Sequence, residues 1–223
     1  MGGTWAVVVA AGAGRRYGGP KQFALLAGVP VLEWSVRVAR SVADEVVLVL
    51  PAEHVDDGAA AAGCRHVVAG GPTRATSVRA GLSAVPAGVE IVVVHDAARP
   101  LATPALFARV VEAVRAGAAG AVPGLPVSDT LKRVGGGGRI TATVDRAELV
   151  AVQTPQAFRH AVLRRAHASG AEATDDAALL EALGEEVVVV PGEPRNLKLT
   201  DPVDLERLEA WAVAGLDPVD GRS

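Results

Sequence analysis

The chain has a single cysteine, seven aromatic side chains and only three lysines among its 223 residues. One cysteine, Cys64, excludes an intramolecular disulfide framework and a zinc cluster built on thiolates, and it fits a reducing cytosol. The scarcity of aromatics leaves a core of Val, Leu and Ala. No apolar run reaches the ~18 residues of a membrane span. The apolar N-terminal stretch lacks a basic leader and runs straight into Gly12-Ala13-Gly14-Arg15-Arg16, so no signal peptide is expected. The net charge of −3 argues against a nucleic-acid binder that works by bulk electrostatics. Half the residues are hydrophobic and 21% are charged, which suits one sizeable globular core.

What the chain does have is alternation. Short Val-rich runs, Trp5 to Ala11, Glu45 to Leu50, His66 to Ala69, Ile91 to Val94, Ala118 to Val122, Val150 to Gln153 and Glu186 to Val190, read as strands buried on both faces. Between them the pattern predicts helices over Val31 to Val42, Thr73 to Val85, Thr103 to Ala116, Arg159 to Ser169, Asp175 to Leu183 and Pro202 to Ala214. Thr103-Pro104 and Asp201-Pro202 are cap-plus-proline helix starts. This β/α rhythm predicts one α/β domain with a mostly parallel sheet. It is interrupted at Val127 to Val144, where two alternating stretches flank Gly135 to Gly138 and read as a β-hairpin. The hairpin is either a surface excursion or an arm that packs on another subunit. The tail, Asp217 to Ser223, reads as frayed.

Chemistry concentrates at strand–helix junctions. The first strand runs into Ala10-Ala11-Gly12-Ala13-Gly14-Arg15-Arg16, followed by Pro20-Lys21-Gln22. A dinucleotide fingerprint would need glycine where Tyr17 stands and an acid near Leu50, and a Walker loop would need Gly-Lys-Ser/Thr. With both excluded, two readings stay open: a triphosphate cradle of backbone N–H groups and fixed cations, or a structural turn with solvated basic residues. In Val92-Val93-Val94-His95-Asp96-Ala97-Ala98-Arg99-Pro100, Asp96 closes a buried strand on the side where open sheets bind ligands, and a carboxylate there can hold Mg²⁺ against phosphate. The blander alternatives are a capping role for Asp96, an ion pair between it and Arg99, and a packed His95. Gly70-Gly71 leads into a helix on which Arg74 and Ser77 share a face. Lys198 lies at another junction, and capping accounts for Thr174. The lack of a nucleophile motif, HExxH or paired catalytic Glu suits phosphoryl-type transfer, in which positioning and charge neutralisation dominate.

Taken together, AAGAGRR with PKQ, GGPTRATSV, VHDAARP, SDTLKR, TVDR, QTPQAF, TDDA and NLKLTDPVDL, in that order from Ala10 to Leu205, resemble the 2-C-methyl-D-erythritol 4-phosphate cytidylyltransferases of the non-mevalonate isoprenoid pathway. The resemblance implies a single Rossmann-like domain over residues 1–223, a homodimer, and CTP with Mg²⁺. It implies Arg16 and Lys21 as transition-state stabilisers, and Arg146 and Lys198 as residues that position the sugar phosphate. It places Asp96 at the metal, and Arg99 and Thr130 at the acceptor. Gly71 and Ser77 fall at cytosine-reading positions, with Ala10, Ala11, Gly12 and Gly14 around the nucleotide. It makes the hairpin at about 127–146 a dimerisation arm that carries Thr130 and Arg146 into the neighbouring subunit's site. Departures are Pro72, where some members have an acid, the short Tyr17-Gly18-Gly19 spacer, and the four-glycine arm tip. Ribitol-5-phosphate cytidylyltransferases share much of the pattern. A sugar-1-phosphate nucleotidyltransferase and a non-catalytic nucleotide-binding protein are the broader alternatives.

Overall fold

The structure, a computed structural model, describes residues 2–57 and 62–214. The expected frayed tail lies outside them. The strands are β1 (Thr4–Val9), β2 (Leu25–Leu26), β3 (Val29–Pro30), β4 (Glu45–Leu50), β5 (His66–Ala69), β6 (Ile91–Asp96), β7 (Gly120–Pro126), β8 (Leu131–Val134), β9 (Ile140–Val144), β10 (Val150–Val152), β11 (Gln156–Arg159) and β12 (Val187–Pro191). The helices are α1 (Val31–Val42), α2 (Arg74–Ser83), α3 (Pro104–Arg115), α4 (His160–Ala168), α5 (Asp176–Glu181) and α6 (Pro202–Val213).

The β-branched strands pair as the alternation requires. β1 lies between β4 and β6, parallel to both, and β5 extends the sheet beyond β4. On the other side, β11 runs antiparallel between β6 and β7, β10 pairs antiparallel with β7, and β12 is parallel to β7. The chain leaves β1 towards β4 and crosses back to reach β6. The C-terminal ends of β1 and β6 therefore form a topological switch point, where an open sheet offers a ligand crevice.

Alternate residues of each strand feed opposite layers. Ala6, Val8, Leu48 and Val93 pack with Val36 of α1 and Phe107 and Val110 of α3. Val7, Val49, Val92 and Val94 pack with Val78 of α2, Leu163 of α4 and Leu180 of α5. Each fully buried Val or Leu contributes roughly 1.5–3 kcal/mol relative to exposure. Caps set the helix starts. Thr103 accepts from the Leu106 amide ahead of α3, and Thr73 and Thr76 form a reciprocal box at α2. A third cluster, Leu26, Val31, Trp34, Leu199 and Leu208, ties α6 to the β2–β3 hairpin and so fixes the segment that carries Lys198.

Three sequence expectations need correction. β5, β10 and β12, each paired with a single strand at a margin of the sheet, are not buried on both faces: Val150 is 40%, Val152 38% and Val189 54% exposed in the single chain. Gln156–Arg159, absent from the expected strands and ending on the residue expected to open a helix, is a strand; it inserts Ala157 and Phe158 into the core while its polar ends mask the pattern. The cap of α5 is Asp175, not Thr174; its carboxylate accepts from the Ala178 amide. The hairpin stands where it was expected, with β8 and β9 antiparallel from Leu131↔Val144 to Val134↔Ile140. From residue 128 to 152 the chain is exposed except for half-buried Leu131 and Val144.

Candidate active site

A cavity of about 370 Å³ opens at the switch point. Its floor is the turn after β1, with Ala10, Ala11 and Gly12; its walls are Gly71 and Ser77 on one side, and Lys21, Asp96 and Lys198 on the other. The turn is built by close backbone approach. Gly14 has φ +62°, and a Cβ there would lie 1.8 Å from the Gly19 carbonyl oxygen, so only glycine fits. Gly14 supports the floor rather than lining it. At the other wall, the Ser77 hydroxyl accepts from the Gly71 amide (3.2 Å) and lies 2.9 Å from the Thr73 carbonyl, which fixes the Gly70–Gly71 turn. A Cβ at Gly71 would meet Thr76 Oγ1 at 2.3 Å.

A second cavity of about 220 Å³ adjoins the first and includes Arg99, Gln153 and Thr154. Arg74, Asp96 and Lys198 border both. Two ligand spaces therefore meet at one ion cluster. Lys198 Nζ donates to Asp96 Oδ2 at 2.6 Å, and Arg74 Nε to Asp96 Oδ1 at 3.0 Å. Burial by itself would raise the Asp96 carboxyl, but Arg74 and Lys198 outweigh it and hold the group far below the usual carboxylate range. Lys21 Nζ donates to the Leu199 carbonyl at 2.5 Å. Its burial, then the nearby Lys198 charge, push the ammonium below its ordinary value, with Arg16 contributing in the same direction. The cluster is thus rich in cations that lack enough anions, which is the electrostatic signature of a phosphate site.

Ala10, Ala11, Gly12, Lys21, Gly71, Ser77, Asp96 and Lys198 are brought together at the first cavity, and Arg99 reaches the second. Arg16 is exposed on the turn and lines neither. Thr130 and Arg146 sit on the exposed arm, away from both. The ion pair between Asp96 and Arg99 does not form. Arg99 instead donates to the carbonyls of Asn196 (2.7 Å) and Val152 (3.5 Å). Asp96 pairs with Arg74, which the sequence marked only as a neighbour of Ser77. The signal was there, an arginine one residue past the Thr73 cap and hence aimed at strand ends, but nothing local named its partner. His95 is a packed residue, as its blander reading has it. It is wholly buried, bonded at both ring nitrogens and set against Phe107.

A glycine-rich turn, a strand-end aspartate and converging cations on a mostly parallel α/β sheet define a nucleotide-binding fold of the nucleotidyltransferase class. The chain belongs to the 2-C-methyl-D-erythritol 4-phosphate cytidylyltransferase (IspD) family, whose model matches residues 4–213. It is 47% identical over 212 residues to the 2-C-methyl-D-erythritol 4-phosphate cytidylyltransferase of Nocardia farcinica, covering 92% of this chain and 91% of that protein. It is 49% identical over 216 residues to the bifunctional enzyme IspD/IspF of Clavibacter michiganensis, where 91% of this chain matches 53% of that one, so the chain spans about half the length of such fused relatives. Among solved structures, the cytidylyltransferase of Thermus thermophilus superposes with a TM-score of 0.80 at 39% identity, covering 93% of this chain and 98% of that one.

Proposed function

We propose that the chain transfers CMP from CTP to 2-C-methyl-D-erythritol 4-phosphate, giving 4-diphosphocytidyl-2-C-methyl-D-erythritol and pyrophosphate, a step of isoprenoid precursor synthesis. The observation that carries this reading is the meeting of two cavities at Asp96, Arg74 and Lys198. CTP occupies the larger, its base against Gly71 and Ser77 and its phosphates over the Ala10–Gly14 turn. The acceptor phosphate occupies the smaller, beside Arg99.

An acceptor phosphate oxygen attacks the α-phosphorus in line. A bond forms between that oxygen and the phosphorus, the bond from phosphorus to the α–β bridging oxygen breaks, and pyrophosphate leaves with the electron pair. The nucleophile is already anionic near neutral pH, so no general base is needed. The difficulty is anion–anion repulsion, roughly 4 kcal/mol for two unit charges 4 Å apart at an effective dielectric of ~20. Lys21 faces the triphosphate and offsets the charge that develops on the leaving group, and Arg16, exposed on the turn and close enough to act on the Lys21 charge, would have to swing inward to add to it. Lys198 holds the acceptor phosphate, releasing Asp96 as it does so. Base selection rests on hydrogen bonds from the exocyclic amino group to backbone carbonyls near Ala10 and Gly71, with Ser77 assisting.

The fit of Mg²⁺ is judged on the donors present. Among the described residues no cluster of three or more His, Cys, Asp or Glu could cage a metal. Mg²⁺ is commonly bound by one or two carboxylates plus substrate phosphates, and Asp96, bordering both cavities, supplies one. Bound there, Mg²⁺ would neutralise phosphate charge.

The arm completes the assembly. Thr130 and Arg146 lie outside their own chain's site, and apolar Val134, Ile140, Val150 and Val152 are exposed along the arm and its root. A homodimer in which each arm reaches the partner's acceptor cavity satisfies both facts, and it makes the whole chain one catalytic unit. Among the described residues no helix is long and apolar enough to cross a membrane, and a cytoplasmic location is proposed. The test is pyrophosphate release from CTP, measured with and without methylerythritol 4-phosphate and with ribitol 5-phosphate instead. Release only with methylerythritol 4-phosphate is expected. Release with ribitol 5-phosphate alone would reassign the acceptor, and acceptor-independent release would refute transfer.

A further inference from the structure

The two cations on Asp96 are not equivalent. Lys198 reaches it through one bond and its side chain is 39% exposed. Arg74 is 22% exposed and tied at both ends: Nε to Asp96, and NH1 to Asp176 Oδ2 at 2.8 Å. Asp176 is 1% exposed, and its other oxygen meets His167 Nε2 at 2.9 Å. His167 is itself buried on α4. A continuous row of charged and polar contacts thus runs from the core under α4 and α5 to the carboxylate that borders both cavities. Asp176 touches neither cavity, so no substrate contact explains it.

Burying a carboxylate beneath an active site is costly unless it is paired and fully hydrogen-bonded. Asp176 meets that condition by gripping Arg74. Burial by itself would lower the Arg74 guanidinium, but Asp96 and Asp176 together hold it above its ordinary value. Arg74 has the reach to swing towards a phosphate in either cavity. The second anchor prevents that, so Lys198 is the partner free to leave Asp96 when an acceptor phosphate arrives.

We propose that Asp176, braced by His167, is a positioning residue for the transfer: through Arg74 it fixes Asp96 between the two cavities and reserves Lys198 for the acceptor phosphate. The inference rests on the cytidylyltransferase reading above. Outer-shell partners of functional groups typically cost 10–100-fold when lost.

The test is Asp176→Asn, which keeps shape and removes charge. Its kcat is expected to fall about 10-fold or more, with KM for methylerythritol 4-phosphate changed less than about twofold. In an Arg74→Lys background, which already lacks the two-ended fork, Asp176→Asn should cause no further loss of kcat. A merely structural Asp176 would lower the melting temperature while leaving kcat per folded site unchanged. Should Asp176→Asn fail to fold, Arg74→Lys at the cavity wall tests the same clamp and should show the same kcat loss. Wild-type kcat in a folded Asp176→Asn or Arg74→Lys chain, or an equal Asp176→Asn effect in both backgrounds, overturns the inference alone. A wild-type chain that makes no pyrophosphate overturns the parent reading and this inference with it.

Discussion

Acid should destabilise this protein through His95 before it touches Asp96. The imidazole is fully buried at the end of β6. Its hydrogen bonds define one tautomer. The Asp96 amide donates to Thr154 Oγ1 at 3.0 Å, the Thr154 hydroxyl lies 3.2 Å from His95 Nδ1, and His95 Nε2 lies 3.2 Å from the Arg99 carbonyl. The carbonyl can only accept, so Nε2 carries the proton and Nδ1 accepts from the threonine. The neutral ring is therefore satisfied on both sides. Burial is the main reason that the His95 pKa is pushed down to about 4, against 6.5 for a free side chain. Between these values the unfolded chain binds a proton that the folded chain refuses. Stability must rise with pH across that window, be complete above about 6.5, and be fully eroded below about 4. At about 1.4 kcal/mol for each tenfold difference in proton affinity, the erosion amounts to about 3 kcal/mol. Asp96 contributes in the same direction only below the unfolded carboxylate value near 4, so the window belongs to histidine. His160, also lowered by burial, adds to it. The assay is urea unfolding at about pH 7.5 and about pH 4.5 for wild type and His95→Gln, whose side chain cannot titrate. Wild type should lose about 2–3 kcal/mol more than the variant over that interval, since His160 cancels between them. Equal losses in the two proteins would refute the buried neutral imidazole.

Further outcomes follow from the site. Lys21→Ala should reduce kcat about 100-fold or more, the usual scale for a lost transition-state donor, with a smaller effect on KM; a wild-type kcat in steady-state assays would remove its assigned role. Mixing Lys21→Ala with Arg146→Ala subunits should restore about a quarter of wild-type activity. Half of a random mixture is heterodimer, and each heterodimer has one intact site if the arm acts across the dimer; no recovery would mean that Arg146 serves its own chain. Gly14→Ala should cost about 2 kcal/mol of stability, from its left-handed backbone and the approach of the Gly19 carbonyl, and should raise KM for CTP; unchanged denaturant midpoints would show that the turn relaxes freely.

Local pattern made the sheet legible. The β-branched strands from Thr4–Val9 to Ile91–Asp96 declare themselves by composition, and the caps at Thr103 and Asp201 mark their helices. Gln156–Arg159 escaped because only two of its residues are apolar and they fill one short stretch between a proline turn and a helix. The arm was legible as a hairpin because alternation and a glycine tip are local; what it packs against is not. The same division runs through the site. Lys21, Asp96 and Lys198 were visible at junctions, and the cavities gather them. The pairing of Asp96 with Arg74 and Lys198, and of Arg74 with Asp176, joins residues 22 to 102 positions apart. No spacing rule reports contacts that the fold alone creates. The lysine scarcity keeps a meaning in that light. Two of the three lysines, Lys21 and Lys198, stand at the ion cluster, where a compact ammonium fits and a planar guanidinium would need different partners.

The central claim is attack of an acceptor phosphate on the α-phosphorus at the junction of the two cavities. It is tested most directly by supplying wild-type protein with CTP and methylerythritol 4-phosphate labelled with ¹⁸O in its non-bridging phosphate oxygens. Attack at the α-phosphorus leaves all the label in the cytidyl product, one labelled atom forming the new bridge, and releases unlabelled pyrophosphate. Label in the released phosphates, or pyrophosphate formed without label entering a cytidyl product, would contradict it.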